Sequence, residues 1–252
     1  HRGVVELLLA RGADPALAAR TGATPLSAAV SMRQLDIVDR LLAAGATLEQ
    51  RLPGDVTVLM LAAALGLPDV CTRLLAAGAN IAATDAQGLT PLHCAGLYGF
   101  TTRDRRRLVA LFDALLLAGA DPDAQASGGV TPLLLLLGAR AEPGTACDED
   151  VVVAGLVRLL DEGATLRVRD PRGFGPLHLA LVGVLKLGQE LVAFLLEGLL
   201  DRDLKGCDVL VAGNARTATM ERIKRSVGFV PKDASATTTT RKTDAKQRGQ
   251  AG

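Results

Sequence analysis

Pairs of leucines followed by a glycine recur along this chain at a regular interval. The hexamer LLAAGA occupies residues 41–46 and returns at 74–79, 33 residues later. Twelve residues after each such glycine stands a second marker, usually a threonine. The five glycine and marker pairs are Gly12 with Thr24, Gly45 with Thr57, Gly78 with Thr90, Gly119 with Thr131, and Gly163 with Gly175. An offset that is kept five times predicts an internal structural repeat.

The two markers predict the ends of two helices in each unit. Threonine before Pro-Leu, as at Thr90, is typical of a helix N-cap followed by proline at the first helical position. The leucine pair predicts the core-facing end of a second helix, and glycine suits the left-handed residue that ends it. The eleven residues between the glycine and the marker are rich in turn formers. Each unit is therefore expected to be a helix, a short turn, a helix and a projecting loop.

This pattern resembles the ankyrin repeat. The resemblance is carried by TPLHCA at 90–95, LLAAGAN at 74–80 and LLARGADP at 8–15. It implies an all-α ankyrin-repeat solenoid of stacked helix-turn-helix units with projecting loops. Five full copies are expected to start near Thr21, Gly54, Gln87, Gly128 and Arg172.

The resemblance also predicts how the chain is divided. Residues 1–205 are expected to hold an N-terminal half repeat and the five full copies, two of them with insertions. Residues 206–230 are expected to form a degenerate capping repeat, since terminal repeats are atypical. Residues 231–252 are predicted to be a basic, extended tail without an intrinsic fold. The first residues match the second helix of a repeat, so the natural protein is expected to continue upstream.

Two copies are longer than the others. In normal copies the next glycine stands 21 positions after the threonine, whereas it stands 29 positions after it in the third copy and 32 in the fourth. The extra residues are expected to lengthen the second helix of each pair rather than to loop out. Thr101 or Thr102 is the predicted cap of a helix that begins near Arg103, and Asp148–Asp150 suit a helix N-terminus.

Two features of these longer copies leave alternatives open. Residues 103–107 are basic and residues 148–150 are acidic, so the two insertions form either a binding ledge or a pair that thickens the solenoid. The leucine run at 133–137 predicts a first helix that is apolar on every side. Such a helix is either shielded by its neighbours or covered by a partner.

Composition and charge are consistent with a solenoid. The chain is 49% hydrophobic but only 2% aromatic, as expected for thin layers of leucine and alanine. No uncharged apolar run reaches the roughly 18 residues of a membrane span. Four cysteines without a C-x-x-C pair favour a reducing, intracellular compartment, either the cytoplasm or an organelle. The net charge of +1 hides a C-terminal part, from Arg216 onward, with nine basic and three acidic residues.

No pattern of catalytic residues is visible. The chain lacks a phosphate-binding loop, an H-E-x-x-H motif, a nucleophile elbow and any metal-ligand spacing. His93 and His178 occupy the fourth position of the TPLH turn, where the resemblance implies a hydrogen bond within the loop framework. We therefore predict no enzyme activity, cofactor, metal or small-molecule substrate.

The resemblance implies a non-catalytic protein–protein interaction scaffold that is a subunit of a larger assembly. Partners of this family bind the loop tips and the inner helix face. By position, the tip residues here are Arg20, Arg51, Asp85, Gln87, Gln125, Arg167, Arg169 and Arg172, of which the basic group 167–172 is favoured. The insertion adds the candidates Arg103, Arg105, Arg106 and Arg107. The alternative for all these charges is an ordinary solvated rim.

Two other functions are compatible with the sequence. A structural subunit of a ribonucleoprotein, such as an organellar ribosome, would use the basic tail on RNA phosphates or on an acidic protein surface. The candidate tail residues are Arg222, Lys224, Arg225, Arg241, Lys242, Lys246 and Arg248. The weaker alternative is the regulatory region of a larger enzyme.

Overall fold

The computed structural model describes residues 2–141 and 147–181. These residues contain ten α-helices and no strand beyond isolated bridges. The helices are α1 (Arg2–Ala10), α2 (Pro25–Ser31), α3 (Leu35–Ala43), α4 (Val58–Ala64), α5 (Pro68–Ala76), α6 (Pro91–Thr101), α7 (Arg105–Leu117), α8 (Pro132–Leu136), α9 (Glu149–Asp161) and α10 (Pro176–Leu181).

The helices stack in two rows, which confirms the predicted all-α solenoid. The first helices of the repeats, α2, α4, α6, α8 and α10, each contact the next in their row. The second helices, α1, α3, α5, α7 and α9, do the same in the other row. Repeats 1 to 4 are the pairs α2–α3, α4–α5, α6–α7 and α8–α9, and repeat 5 begins with α10.

The predicted helix starts are confirmed by their hydrogen bonds. Thr24, Thr57 and Thr131 lie in extended conformation and accept the backbone N–H of the residue three positions later, at 3.0, 3.3 and 3.4 Å. At the third start the backbone N–H of Thr90 donates to Nδ1 of His93, at 3.1 Å. These bonds satisfy backbone donors that a helix leaves unpaired in its first turn.

The predicted helix ends are confirmed as well. The five glycines of the repeat have φ angles between 82° and 98°, the left-handed region in which a side chain is disfavoured. Just before them, one leucine of each pair in repeats 1 to 4 is at most 3% exposed: Leu41, Leu74, Leu115 and Leu159. Burial of a leucine side chain contributes about 1.5–3 kcal/mol, so this row supplies much of the stability.

A row of ion pairs accompanies the second helices. Arg40 pairs with Glu6 at 3.0 Å, Arg73 pairs with Asp39, and Arg158 pairs with Asp113 at 2.5 Å. Each arginine lies five residues before its glycine and reaches an acid on the preceding second helix. Exposed pairs of this kind contribute about 0–1 kcal/mol each. They therefore align adjacent second helices more than they add to the free energy of unfolding.

The insertion in repeat 3 lengthens both helices, not only the second. α6 has 11 residues and α7 has 13, against 7 and 9 in repeats 1 and 2. The three-residue connection between them is unchanged, so all eight extra residues are helical. The predicted cap was wrong: α7 begins at Arg105, and Asp104 caps it by accepting the N–H of Arg107 at 3.0 Å. Thr101 belongs to α6 and Thr102 ends it.

The insertion in repeat 4 is divided differently. α9 has 13 residues and is capped by Asp148, with Glu149 and Asp150 in its first turn, as expected. α8 has only five residues, and the described residues between α8 and α9, which are 137–141 and 147–148, are not helical. The expectation of a purely helical insertion is therefore wrong for this repeat.

The leucine run of α8 is an interior helix. Leu133 is 1% exposed, and the four leucines that follow it are 0% exposed. α6, α9 and α10 contact α8 and bury it. Its neighbours shield it, so no partner is needed to cover it.

Several predictions fall outside the described residues. They concern the second half of repeat 5, the degenerate repeat at 206–230 and the tail at 231–252. Among the residues that are described, no helix has the length and apolar character to cross a membrane.

Candidate protein-binding surface

The projecting loops form one connected surface. The backbone N–H of Ala86 donates to the carbonyl of Gly54 at 3.1 Å, and that of Ser127 donates to the carbonyl of Gln87 at 2.9 Å. Further along, the N–H of Thr165 donates to the carboxylate of Asp123 at 2.7 Å. Because the loops before α4, α6, α8 and α10 are each bonded to the next, their tips are held at fixed spacing.

Three predicted contact residues also have structural partners in the loops. Arg51 donates through Nη1 to the carbonyls of Asp55 and Thr84, both at 2.8 Å, and so joins two loops. Asp85 accepts the backbone N–H groups of Gln87 and Leu89, both at 2.8 Å, which closes its turn. The side chain of Gln87 accepts a hydrogen bond from Arg140. These contacts stabilise the surface, and they leave less of each side chain for a partner.

The fifth loop is built around a buried carboxylate. Asp170 is 5% exposed and accepts the backbone N–H groups of Arg172 and Phe174 at 2.9 and 2.8 Å. Burial alone would raise the pKa of Asp170, but these bonds and the Arg172 guanidinium hold that pKa below its ordinary value. Asp170 therefore stays ionised and fixes the loop.

A cation and two rings stack beside this carboxylate. The guanidinium of Arg172 lies 5.0 Å from the centre of the Phe174 ring, within the range of a cation–π contact. The Phe174 and His178 rings stack with centroids 5.9 Å apart and an interplanar angle of 8°. Arg172 also donates to the carbonyl of Ala139 at 3.1 Å. We call Arg169, Arg172, Phe174 and His178 the fifth-repeat patch.

Sequence reasoning found the arginines of this patch but missed its aromatic half. Phe174 is half-buried and His178 is exposed. The sequence did contain a signal for Phe174: the chain has only five phenylalanines, and this one lies in a projecting loop. Arg169 is exposed and donates to the carbonyl of Gly173 at 3.1 Å.

The remaining predicted tip and insertion residues lie at the surface. Arg20, Gln125 and Arg167 are exposed. Arg103, Arg105 and Arg106 are exposed and make no ion pair with any described residue, whereas Arg107 is half-buried and pairs with Asp104 at 3.6 Å. The two insertions do not pair through these charges, because α7 and α9 are joined by Asp113 and Arg158 instead.

The histidine of repeat 3 has the predicted structural role. His93 is fully buried, accepts the N–H of Thr90 at Nδ1 and contacts the carbonyl of Val130 through Nε2 at 3.0 Å. Burial lowers its pKa, so the imidazole is neutral at physiological pH. His93 thus joins the start of α6 to the next loop.

Two cysteines of the described residues, Cys71 and Cys94, are buried. Burial raises the pKa of Cys71 and of Cys94 to about 12, so both thiols are protonated and poorly nucleophilic. Within residues 2–141 and 147–181, no cluster of histidine, cysteine or acidic residues can hold a metal ion. The predicted tail cations, Arg222 to Arg248, lie outside the described residues.

Comparison with known families agrees with this architecture. The family model described as Ankyrin repeat matches residues 21–51 and 55–86, which are repeats 1 and 2. A search of curated proteins found no match to the chain. Residues 21–51 and 55–86 are therefore ankyrin repeats, and the described part of the chain folds as an all-α repeat solenoid.

The presence of these repeats has a general functional meaning. Ankyrin repeats indicate a protein–protein interaction domain, and the family is in general a non-catalytic interaction module. The repeats of this chain are such a domain.

Proposed function

We propose that this protein is a non-catalytic scaffold that holds a protein partner on its loop surface, as part of a larger assembly. The fifth-repeat patch is the main contact in this proposal. The observation that supports it most directly is the stack of Arg172 on Phe174 on His178 at a loop tip. Arginine and aromatic side chains dominate the energetics of protein interfaces.

Preorganisation strengthens the argument for this patch. Arg172 is held by Asp170 and by the carbonyl of Ala139, and Phe174 is held between two neighbours in the stack. Side chains that are already ordered lose little conformational entropy when a partner binds. A rim of freely rotating, solvated charges would lack this advantage.

The charge of the loop indicates the kind of partner. Residues 167–172 contain three arginines and one aspartate, and that aspartate is buried. The exposed part of the loop is therefore strongly basic. Complementary charge speeds association and excludes partners of like charge, so an acidic protein surface fits best.

Site-specific crosslinking in cells tests this proposal. A photo-crosslinking amino acid replaces Arg169 in the full chain, and in a second variant it replaces Arg20 in the first loop. Mass spectrometry then identifies the captured proteins. We expect one predominant protein at position 169, absent at position 20, and lost when Phe174→Ala is added. The exposed loop residue Leu17, changed to alanine, is the matched control.

Capture of the same proteins at both positions, or of none at position 169, would contradict the proposal. Crosslinks to RNA instead of protein would favour the ribonucleoprotein alternative. That alternative depends on the tail, and no observation on the described residues favours it. The same holds for the regulatory region of a larger enzyme.

A further inference from the structure

The insertion in repeat 3 makes α6 longer than both of its neighbours. Eleven residues give α6 a length of about 16 Å, whereas α4 and α8 reach about 10 and 7 Å. The last turn of α6, residues 98–101, therefore extends past the ends of the two adjacent first helices. Repeats 1 and 2 have no such step, because their first helices are equally long.

A groove of about 340 Å³ follows from this step, and we call it the α6 groove. It runs along α6 and is closed on one side by the end of α4 and on the other by the turn after α8. Its walls are mainly apolar and include Ala64, Leu97, Tyr98, Leu135 and Arg140. Its volume lies at the low end of the range for ligand pockets, about 300–1,000 Å³, and suits one or two side chains.

The walls of the α6 groove are rigid. The Tyr98 ring covers Gly66 so closely that a Cβ on that glycine would lie 2.1 Å from the ring. The hydroxyl of Thr102 donates to the Tyr98 hydroxyl at 3.0 Å. Phe100 covers Gly138 in the same manner, with a Cβ distance of 2.6 Å. A groove with fixed walls favours binding, because it does not have to be formed first.

A cluster of cations borders the α6 groove. Residues 103–107 hold four arginines and one aspartate, a net charge of +3, and only Arg107 is in an ion pair among the described residues. Arg103 follows Thr101 of the groove wall by two residues, so its Cα lies within about 8 Å of that wall. Arg140 lines the groove itself and reaches Gln87 on the loop surface.

We propose that the α6 groove binds a short acidic segment of a partner protein. One apolar side chain of the segment fills the space between Leu97, Tyr98 and Leu135, and its carboxylates pair with Arg103, Arg105 and Arg106. The apolar walls fit an aliphatic or aromatic anchor, and the cationic border fits the acids that flank it. The proposal rests on the scaffold function above and adds a second contact to it, next to the loop surface.

Peptide selection on the full chain tests the proposal without a known partner. Random dodecapeptides displayed on phage are selected against the protein, and the enriched peptides are synthesised with a fluorescent label. We expect peptides with at least two Asp or Glu residues around one Leu, Ile, Met or Phe. Their affinities are measured by fluorescence polarisation, with a random single-stranded RNA 20-mer as a second probe.

Two variants with matched controls locate the binding. Ala64→Trp fills the groove from an exposed position, and Ser31→Trp is the same position in repeat 1, whose first helix makes no such step. Arg105→Glu with Arg106→Glu reverses the charge of these two border residues. Acidic residues in the first turn of α7 stabilise that helix, so the variant is expected to fold. Arg11→Glu with Arg33→Glu makes the same charge change elsewhere, at two exposed residues outside the loop tips and the groove. Each groove variant is expected to weaken peptide binding about tenfold or more, and each control less than twofold.

The outcomes separate this proposal from the proposed function. Peptides without acidic enrichment, or acidic peptides that bind Ala64→Trp as well as the wild type, would overturn the groove assignment. Tight RNA binding that the arginine variant abolishes, without peptide binding, would overturn it in favour of phosphate recognition. If the selection yields no acidic peptide while the crosslink at position 169 is obtained, the groove assignment fails and the scaffold function stands on the loops alone.

Discussion

Repeats 1 and 2 differ from repeats 3 and 4 in what the chain does with extra residues. The first two repeats have helices of seven and nine residues and a three-residue connection. Repeat 3 turns eight added residues into helix, whereas repeat 4 has a longer connection, with residues 137–141 and 147–148 outside any helix. The number of residues from the repeat glycine to the next helix-capping residue is the same in all four repeats. The insertions therefore change the helices and the connections between them, and leave the length of the projecting loops unchanged.

The difference shows that a solenoid accepts insertions where packing can absorb them. In repeat 3 the added last turn of α6 buries Phe100, at 4% exposure, and α7 buries Phe112, at 0%, where repeat 2 has the smaller Cys71. Glycines then let the helices approach: a Cβ on Gly155 would lie 2.9 to 3.1 Å from Leu136, Leu108 and Phe112. The expanded repeats therefore have a thicker core than the regular ones.

The largest expected effect concerns the residue seven positions before the repeat glycine. This residue is Cys71 in repeat 2 and Phe112 in repeat 3, and both are 0% exposed. Phe112→Ala should lower the free energy of unfolding by about 3–5 kcal/mol because it leaves a large cavity. Cys71→Ala should lower it by only about 1 kcal/mol. Urea denaturation followed by circular dichroism measures both, and equal losses would show that the cores are alike.

The next effect concerns the close approach of α6 and α8. A Cβ on Gly96 would lie 2.6 Å from the backbone carbonyl oxygen of Pro132, which cannot move aside. Gly96→Ala should therefore lower the free energy of unfolding by about 1–3 kcal/mol. Gly3→Ala in α1, where nothing lies within 4 Å, should raise it by up to about 1 kcal/mol. Thermal unfolding of both variants checks the opposite signs, and a stabilising Gly96→Ala would argue against the tight contact.

A third difference is that repeat 3 has a titratable side chain at one buried position where repeats 1 and 2 have none. His93 occupies the position that is Ser27 in repeat 1 and Met60 in repeat 2. Burial lowers the pKa of His93 in the folded state, so below about pH 6.5 the unfolded chain binds a proton that the folded chain refuses. Stability is then complete above that pH and falls as the pH drops towards the folded pKa, by at most about 1.4 kcal/mol per pH unit.

The measurement is urea denaturation at pH 7.5, 6.5 and 5.5. His93→Gln should remove much of the slope between these pH values. An unchanged slope in His93→Gln would mean that other groups carry the pH dependence.

The smallest effect concerns the connection between the two helices of a repeat. Repeat 2 has Gly66 there with φ at 64°, and repeat 1 has Arg33 at the same position with φ at 54°. An arginine in the left-handed region is strained, so Arg33→Gly should raise the free energy of unfolding by about 0.5–1 kcal/mol. The reciprocal change Gly66→Ala should destabilise, because the ring of Tyr98 occupies that space. Differential scanning calorimetry of both variants decides whether the two connections differ as described.

Much of the fold followed from local chemistry. The threonine caps and the left-handed glycines were predictable because each depends on one residue and its nearest backbone groups. The ion pairs of Glu6 with Arg40 and of Asp39 with Arg73 were missed, although their spacing of 34 residues is visible in the sequence once the repeat is known.

The candidate site was less predictable. Arg51, Asp85, Arg169 and Arg172 were identified as loop residues, but the sequence did not reveal that neighbouring backbone groups use their side chains. The cap of α7 shows the same limit. Thr101, Thr102 and Asp104 can each cap a helix, and the choice depends on how far α6 continues.

By itself, the sequence determined the repeat, its period, the ends of most helices and the leucines that face the core. These features depend on contacts within a few residues or on a pattern that recurs. Only the tertiary structure decided how each insertion is divided between helix and connection, which arginines of the described residues form ion pairs and where a groove opens. Those outcomes depend on side chains from different repeats competing for the same space, and no single stretch of sequence contains that competition.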